Sequence, residues 1–262
     1  LAGGSFENLS RATSPYEASG VFRFATDDPP QHVIDVMVEV ASGLPELHPD
    51  EQPYAIPLDK AKFEINIPLT SPTKQYMTLG LFRIRLWYAA RRAGLHLDRD
   101  LTDNYATPER TLSNLQRLAP RFQISRDETQ GMLDQVRLER YGEGEVLQKT
   151  GQVPDGVRVL IEGVVELQVP ATQGAVVPVV QLARDDLLGL TALTRQAVGA
   201  SVVALTDVAV LYIPVAIVDT LVKTRPGLAR DIGSAIDYRQ GLGEKALLEF
   251  GAERAIETLV IA

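Results

Sequence analysis

The chain has 262 residues, 45% of them hydrophobic and 23% charged, a globular composition that excludes pervasive disorder and allows one large domain or two ordinary ones. Acids outnumber bases 34 to 26 for a net charge of −8, so a nucleic-acid partner, which calls for a concentrated basic surface, is not expected. Cysteine is absent, which removes disulfides, zinc–thiolate sites and thiol nucleophiles and suits a reducing compartment.

The opening Leu1-Ala2-Gly3-Gly4-Ser5 lacks the basic start and apolar run of a signal peptide and reads as a processed or excised chain end. From Val21 strand and helix alternate. Val21 to Ala25 is a short strand, stopped by Asp27-Asp28-Pro29-Pro30. Val33, Val36, Met37 and Val40 then share one helical face until Gly43 and Pro45 end the helix. Ala55–Leu58 and Lys62–Ile67 read as strands. A second helix between Gln75 and Ala93 buries Leu79, Phe82, Leu86 and Ala90 and leaves Arg83, Arg85, Arg91 and Arg92 solvated. The order β-α-β-β-α predicts a small split α/β sandwich over residues 1–103.

Residues 104–125 form a linker, with Thr107 as cap and Pro108 at the first position of a helix carried by Leu112, Leu115 and Leu118. Over 126–262 the texture changes. Glu128 to Val136 is helical, after which β-branched runs alternate with glycines: Val157–Ile161, Val164–Val169, Val176–Leu182 and Val202–Ile213. Short strands with glycine turns predict an antiparallel barrel or jelly roll. Beyond Pro214 helical spacing returns. The tail forms an amphipathic lid with Ala246, Leu247, Phe250, Ile256 and Val260 on its apolar side. The fold class is therefore α+β: a ferredoxin-like sandwich followed by a β-roll with flanking helices.

Tyr141-Gly142-Glu143-Gly144-Glu145, Gly151 to Gly156, and Val159 to Leu167 resemble the opening strands of the cyclic-nucleotide-binding family. Asp186 to Leu193 followed by Gly199 to Asp207 looks like that family's phosphate-binding cassette and next strand. The resemblance implies a ligand site at Gly189, Leu190, Thr191, Ala192, Leu193, Arg195, Val198, Gly199, Ala200 and Ser201. A short helix after Gly189 would offer unpaired backbone N–H groups to a cyclic phosphate. In the family, a glutamate follows this glycine and an arginine precedes the Ala-Ser-Val entry. Here Leu190 and Val198 stand at those positions. Truncating one side of a buried charged pair costs about 2–5 kcal/mol, so binding of cyclic AMP or cyclic GMP is expected to be roughly 30- to several-thousand-fold weaker, or absent. Two residues offer a rescue. Arg195 could swing inward, and Thr191 could donate to a ribose or phosphate oxygen.

Residues Val33 to Leu47, Lys62 to Leu69 and Leu81 to Leu97 are similar to the cytoplasmic α/β domain of small-conductance mechanosensitive channels, although Asp98-Arg99-Asp100 replaces the exit segment of that family. The two resemblances together imply the cytoplasmic part of a channel subunit, with pore helices upstream at the cell membrane, assembly of copies into a ring, and a degenerate β-roll that modulates gating or assembly. The alternative is a cytosolic cyclic-nucleotide-responsive regulator without a pore. A transcription factor of that kind needs a basic recognition helix, which the acidic tail does not supply. An enzyme is not expected: no GxSxG elbow or GKS/T loop occurs. His32, His48 and His96 lack metal-ligand spacing, and the pairs Asp27-Asp28 and Asp185-Asp186 read as helix caps.

Overall fold

The computed structural model describes residues 16–261, without side chains for Gln173 or beyond Ala252. The expected processed start at residues 1–5 and the apolar positions Ile256 and Val260 lie outside what is described. The chain divides into two compact units between Thr102 and Asp103.

In the first unit β1 (Tyr16–Arg23), α1 (Pro30–Ser42), β2 (Tyr54–Asp59), β3 (Lys62–Leu69) and α2 (Gln75–Arg92) follow in order. β3 lies antiparallel between β1 and β2, which therefore run parallel to each other and are joined through α1. This is a split βαβ unit. The fourth strand that completes a ferredoxin-like βαββαβ module does not occur among the described residues, so the ferredoxin-like expectation is not confirmed. Val33, Val36, Met37 and Val40 are all buried, together with Phe63, Ile65 and Ile67 of β3 and Phe82, Leu86 and Ala90 of α2.

Two charged residues depart from expectation here. Arg85 is buried rather than solvated, and donates to the Gly43 carbonyl at 2.7 Å, because the last carbonyls of α1 have no partner within the helix. Asp28 does not cap α1, whose N-cap is Pro29 without a side-chain bond. Its carboxylate instead accepts the backbone N–H groups of Ala25 and His96 and meets His96 Nδ1 at 2.7 Å. It thereby ties the exit of α2 to the end of β1.

The second unit begins at α3 (Pro108–Phe122), with Thr107 Oγ1 accepting the Arg110 N–H, and α4 (Arg126–Met132), closed by a reciprocal Ser125–Glu128 capping box. Next come β4 (Arg137–Tyr141), β5 (Val146–Gln148), β6 (Gly156–Glu162), β7 (Val165–Pro170), β8 (Val176–Leu182), β9 (Leu187–Leu188), β10 (Ser201–Ala204) and β11 (Val208–Pro214). They form two four-stranded antiparallel sheets of order β5-β10-β7-β8 and β4-β11-β6-β9. α5 (Val215–Thr224) and α6 (Pro226–Ile261) follow. One core fills the space between the sheets, around Leu160, Val165, Val202 and Val210. A second packs Val157, Val159, Leu211 and Ile213 against Leu115, Phe122, Ile217 and Ile232 of the helices. α3 thus belongs to this core.

The expected strand Val202–Ile213 is two strands in different sheets. The chain turns at Leu205–Asp207, where Thr206 Oγ1 accepts the Val164 N–H and Asp207 Oδ1 accepts the Glu143 N–H. Gly163 faces this turn at φ +86°, where a Cβ would come within 2.3 Å of the Asp207 carbonyl oxygen.

Tyr105 fastens the start of the unit. Its ring lies between the guanidinium groups of Arg110 (3.7 Å) and Arg140 (4.4 Å), and its hydroxyl donates to Glu162 at 2.9 Å. Burial and the Glu162 carboxylate push its pKa from 10 up to about 12. A pKa raised by folding means a contribution that is full below pH 10 and fades as pH rises through 12. Spectrophotometric tyrosine titration should show phenols ionising later than free tyrosine, Tyr54 and Tyr212 being raised as well, and Tyr105→Phe should remove one of them from the late part of the curve.

Candidate functional site

Between β9 and β10 the chain forms the loop that carries every site residue expected from the sequence except Ser201, which opens β10. Gly189 sits at φ +71°, and a Cβ there would lie 2.4 Å from the Gly156 carbonyl oxygen, so only glycine fits at both counts. The helix expected after it is a single 3₁₀ turn, Leu190–Ala192. A turn of three residues aligns too few peptide dipoles to hold an anion as a full helix terminus does. Leu190 is buried in the core between sheet and helices, and Leu193 packs on that core. Ala192 and Val198 are buried as well. The Val198 N–H bonds to the Gln152 carbonyl at 2.9 Å, and its carbonyl accepts from Gly151 at 2.8 Å.

Arg195 does not swing inward. It stands exposed at φ +53°. Thr191 Oγ1 is buried and finds no hydrogen-bond partner among the described residues. Gly199 is exposed, and Ala200 packs against the inter-sheet core.

The polar groups of the cassette are mostly taken by the protein itself. Gln148 Oε1 accepts the Gly189 N–H at 3.1 Å, and its Nε2 donates to the Ala200 carbonyl at 3.0 Å. Ser201 Oγ accepts the Thr150 N–H at 3.1 Å and lies 2.9 Å from Thr150 Oγ1. On the other side of β9, Arg239 of α6 is half-buried and donates through Nη1 to the Leu187 carbonyl. Burial holds its pKa below the usual arginine value. Arg117 and Arg121 of α3 grip the turn before β9, the first pairing with Asp185 at 2.6 Å and the second donating to its carbonyl. Asp185 and Asp186 therefore serve this turn, Asp186 accepting the Ala183 N–H, and neither caps a helix.

An open cavity of about 390 Å³ adjoins Gly189, lined by Leu147, Val153, Pro154 and Leu188 and by the polar side chains of Gln148, Gln152, Asp155 and Arg158. Arg158 was not among the expected site residues. Its Nε donates to Glu139 Oε2 (3.1 Å) and its Nη1 to Asp155 Oδ1 (3.2 Å). Glu139 is 4% exposed and also accepts Arg137 Nε (2.9 Å) and the Tyr141 hydroxyl (3.0 Å). Tyr212 stands between the two arginines, 4.3 Å from Arg137 and 4.8 Å from Arg158. Burial opposes the charge of Arg158, yet the fields of Tyr141, Glu139 and Asp155 hold its pKa above the ordinary value. Among the described residues no cluster of His, Asp or Glu is arranged to hold a metal.

Two four-stranded antiparallel sheets, a cassette loop opening on Gly189 and a trailing helix pair give the outline of a cyclic-nucleotide-binding-type β-roll. The family model described as "Cyclic nucleotide-binding domain" matches residues 138–225, so the chain contains such a domain. No curated protein matches the chain. Among solved structures it is similar to the catabolite activator protein of Thermus thermophilus, at 20% identity and TM-score 0.40 over 50% of this chain and 60% of that one. It is also similar to the sensor domain of the transcriptional regulator DNR from Pseudomonas aeruginosa, at 14% identity and TM-score 0.43 over 50% of this chain and 91% of that one. A third is the cyclic nucleotide-binding-like protein of Brucella abortus, at 18% identity and TM-score 0.37 over 42% and 98%. Scores below 0.5 add nothing to the family match. The comparisons supply no evidence for a fusion to a mechanosensitive channel.

Proposed function

We propose that residues 103–262 form the sensing part of a non-enzymatic regulator, a cyclic-nucleotide-binding-type roll that has given up its grip on the cyclic phosphate and signals through α5 and α6. The observation that carries this reading is the Gly189 N–H, which is held by Gln148 while Leu190 and Val198 are buried apolar residues. A cyclic phosphate would have to displace that amide with no cation beside it. Arg239 supports the second half, because it joins α6 directly to the strand that leads into the cassette.

A cytosolic regulator without a pore is the setting proposed. The match to a cyclic-nucleotide-binding domain over residues 138–225 supports it, whereas the channel setting rests on sequence resemblance alone. Calorimetric titration with cyclic AMP and cyclic GMP is expected to give no saturable heat below about millimolar concentration, since a lost charged contact of about 4 kcal/mol turns micromolar binding into millimolar. Micromolar binding of either nucleotide would overturn the reading.

A further inference from the structure

The first unit holds an open cavity of about 810 Å³, bounded by the ends of β1 and β2, the start of β3, α2 and the turn that follows α2. Three of the residues that line it are cations, Arg23, Lys62 and Arg83, and one, Asp98, is an acid, in a chain whose net charge is −8. Arg23 and Lys62 stand directly opposite each other in the β1–β3 ladder, on the face of β1 turned away from the buried Ala18 and Phe22. Like charges so placed repel and weaken a strand pair. Asp59 opposes Lys62 from β2 and offsets one of the cations. Other basic groups of this unit serve the fold: Arg85 donates to the Gly43 carbonyl, while Arg91 and Lys74 pair with Asp100 and Glu46. Arg83 instead lies with its guanidinium 5.7 Å from the centre of the Phe22 ring, within the range of a cation–π contact. Phe22 lines the same cavity, as do Trp87, one helical turn beyond Arg83, Leu58 and Leu97. Cations beside an aromatic and apolar lining suit a ligand that is charged at one end and apolar at the other. The volume of about 810 Å³ lies within the roughly 300–1,000 Å³ usual for small-molecule sites and is far more than a bare ion fills.

We propose that this cavity binds a small organic monoanion, a carboxylate carried on an aromatic body, whose head lies between Arg23 and Lys62 and whose ring lies against Phe22 and Trp87. A carboxylate placed there relieves the repulsion between the two cations and accepts charge-assisted hydrogen bonds from both. One unit of charge suffices, because Asp98 and Asp59 already offset part of the three cations. The site lies wholly within residues 21–98, so it stands or falls independently of the cassette.

Trp87 is the one tryptophan of the chain, so its fluorescence reports on this cavity with no tryptophan signal from the roll. Titrating the full chain with 4-phenylbutanoate, with excitation at a wavelength that only tryptophan absorbs, we expect a saturable change in emission and a dissociation constant below about 1 mM. The neutral counterpart 4-phenylbutanamide should bind about tenfold more weakly or worse, because it brings no charge to the two cations. Acetate, which has the head without the ring, should leave the emission unchanged at about 10 mM. Raising sodium chloride from about 50 to about 500 mM should weaken 4-phenylbutanoate and leave the amide unaffected. Arg23→Gln should weaken 4-phenylbutanoate about tenfold while the urea midpoint stays or rises, since one of two opposed like charges is gone. Lys62→Gln should weaken it comparably and keeps the test open if Arg23→Gln folds poorly. An amide or acetate that matches 4-phenylbutanoate, binding indifferent to both substitutions, or emission unmoved at about 10 mM 4-phenylbutanoate would each overturn the site.

Discussion

Glu139→Ala is expected to destabilise the second unit by about 3–5 kcal/mol, the usual consequence of removing one partner from a buried ion pair. Glu139 is 4% exposed and Arg158 16% exposed at their side chains, so solvent screens their interaction little. Without the carboxylate, Arg158 keeps only the exposed Asp155, and the Tyr141 hydroxyl loses the acceptor it now meets at 3.0 Å. Arg137, 57% exposed, turns to water and contributes little to the loss. Urea unfolding followed by circular dichroism would measure the effect. Replacing both partners, as Glu139→Leu with Arg158→Met, should be less harmful than Glu139→Ala alone, because no charge is then left buried and unpaired. A loss below about 1 kcal/mol for Glu139→Ala would show that water already reaches the pair.

Helical periodicity was legible in the sequence because it has one answer. Val33, Val36, Met37 and Val40 fall at the spacing of a single face, and all are buried. Thr107-Pro108 likewise carries its own start signal, and the structure places both where the cap requires. Strand alternation is less informative in the roll, because β6 has core on both faces. Val157, Val159 and Ile161 face the helices while Leu160 faces the opposite sheet. Alternation therefore places Arg158 opposite the valines but does not say that this side is the interior. The ion pair at Glu139 was hidden for that reason. The division of β10 from β11 was hidden by the apolar run on either side of Thr206-Asp207, whose turn depends on bonds to residues 42 and 64 positions earlier. The cassette is a third case. Its motif order locates the loop, but the fate of the Gly189 N–H depends on Gln148, which lies 41 residues away.

Leu190→Glu should test how far the family pattern can be carried onto this chain. By motif position the change restores the missing glutamate and ought to strengthen cyclic nucleotide binding. By structure it does the opposite, because Leu190 is 4% exposed in an apolar core shared by β6, β9, β11 and the helices. The expected result is a loss of about 3–5 kcal/mol with no gain in affinity for cyclic AMP or cyclic GMP, since an unpaired carboxylate either forces the core open or binds a proton. The pH dependence distinguishes this from a simple cavity. Burial would raise the carboxyl pKa above its unfolded value, so the variant should lie nearest to wild type below about pH 4 and fall away as pH rises. Leu190→Ala, which only removes packing, should lose about 2–5 kcal/mol with no such slope. A Leu190→Glu protein that unfolds like wild type at neutral pH and binds cyclic AMP at micromolar concentration would show that this side chain turns toward the ligand after all, and that the cassette needs one residue rather than a rebuilt loop to recover its grip.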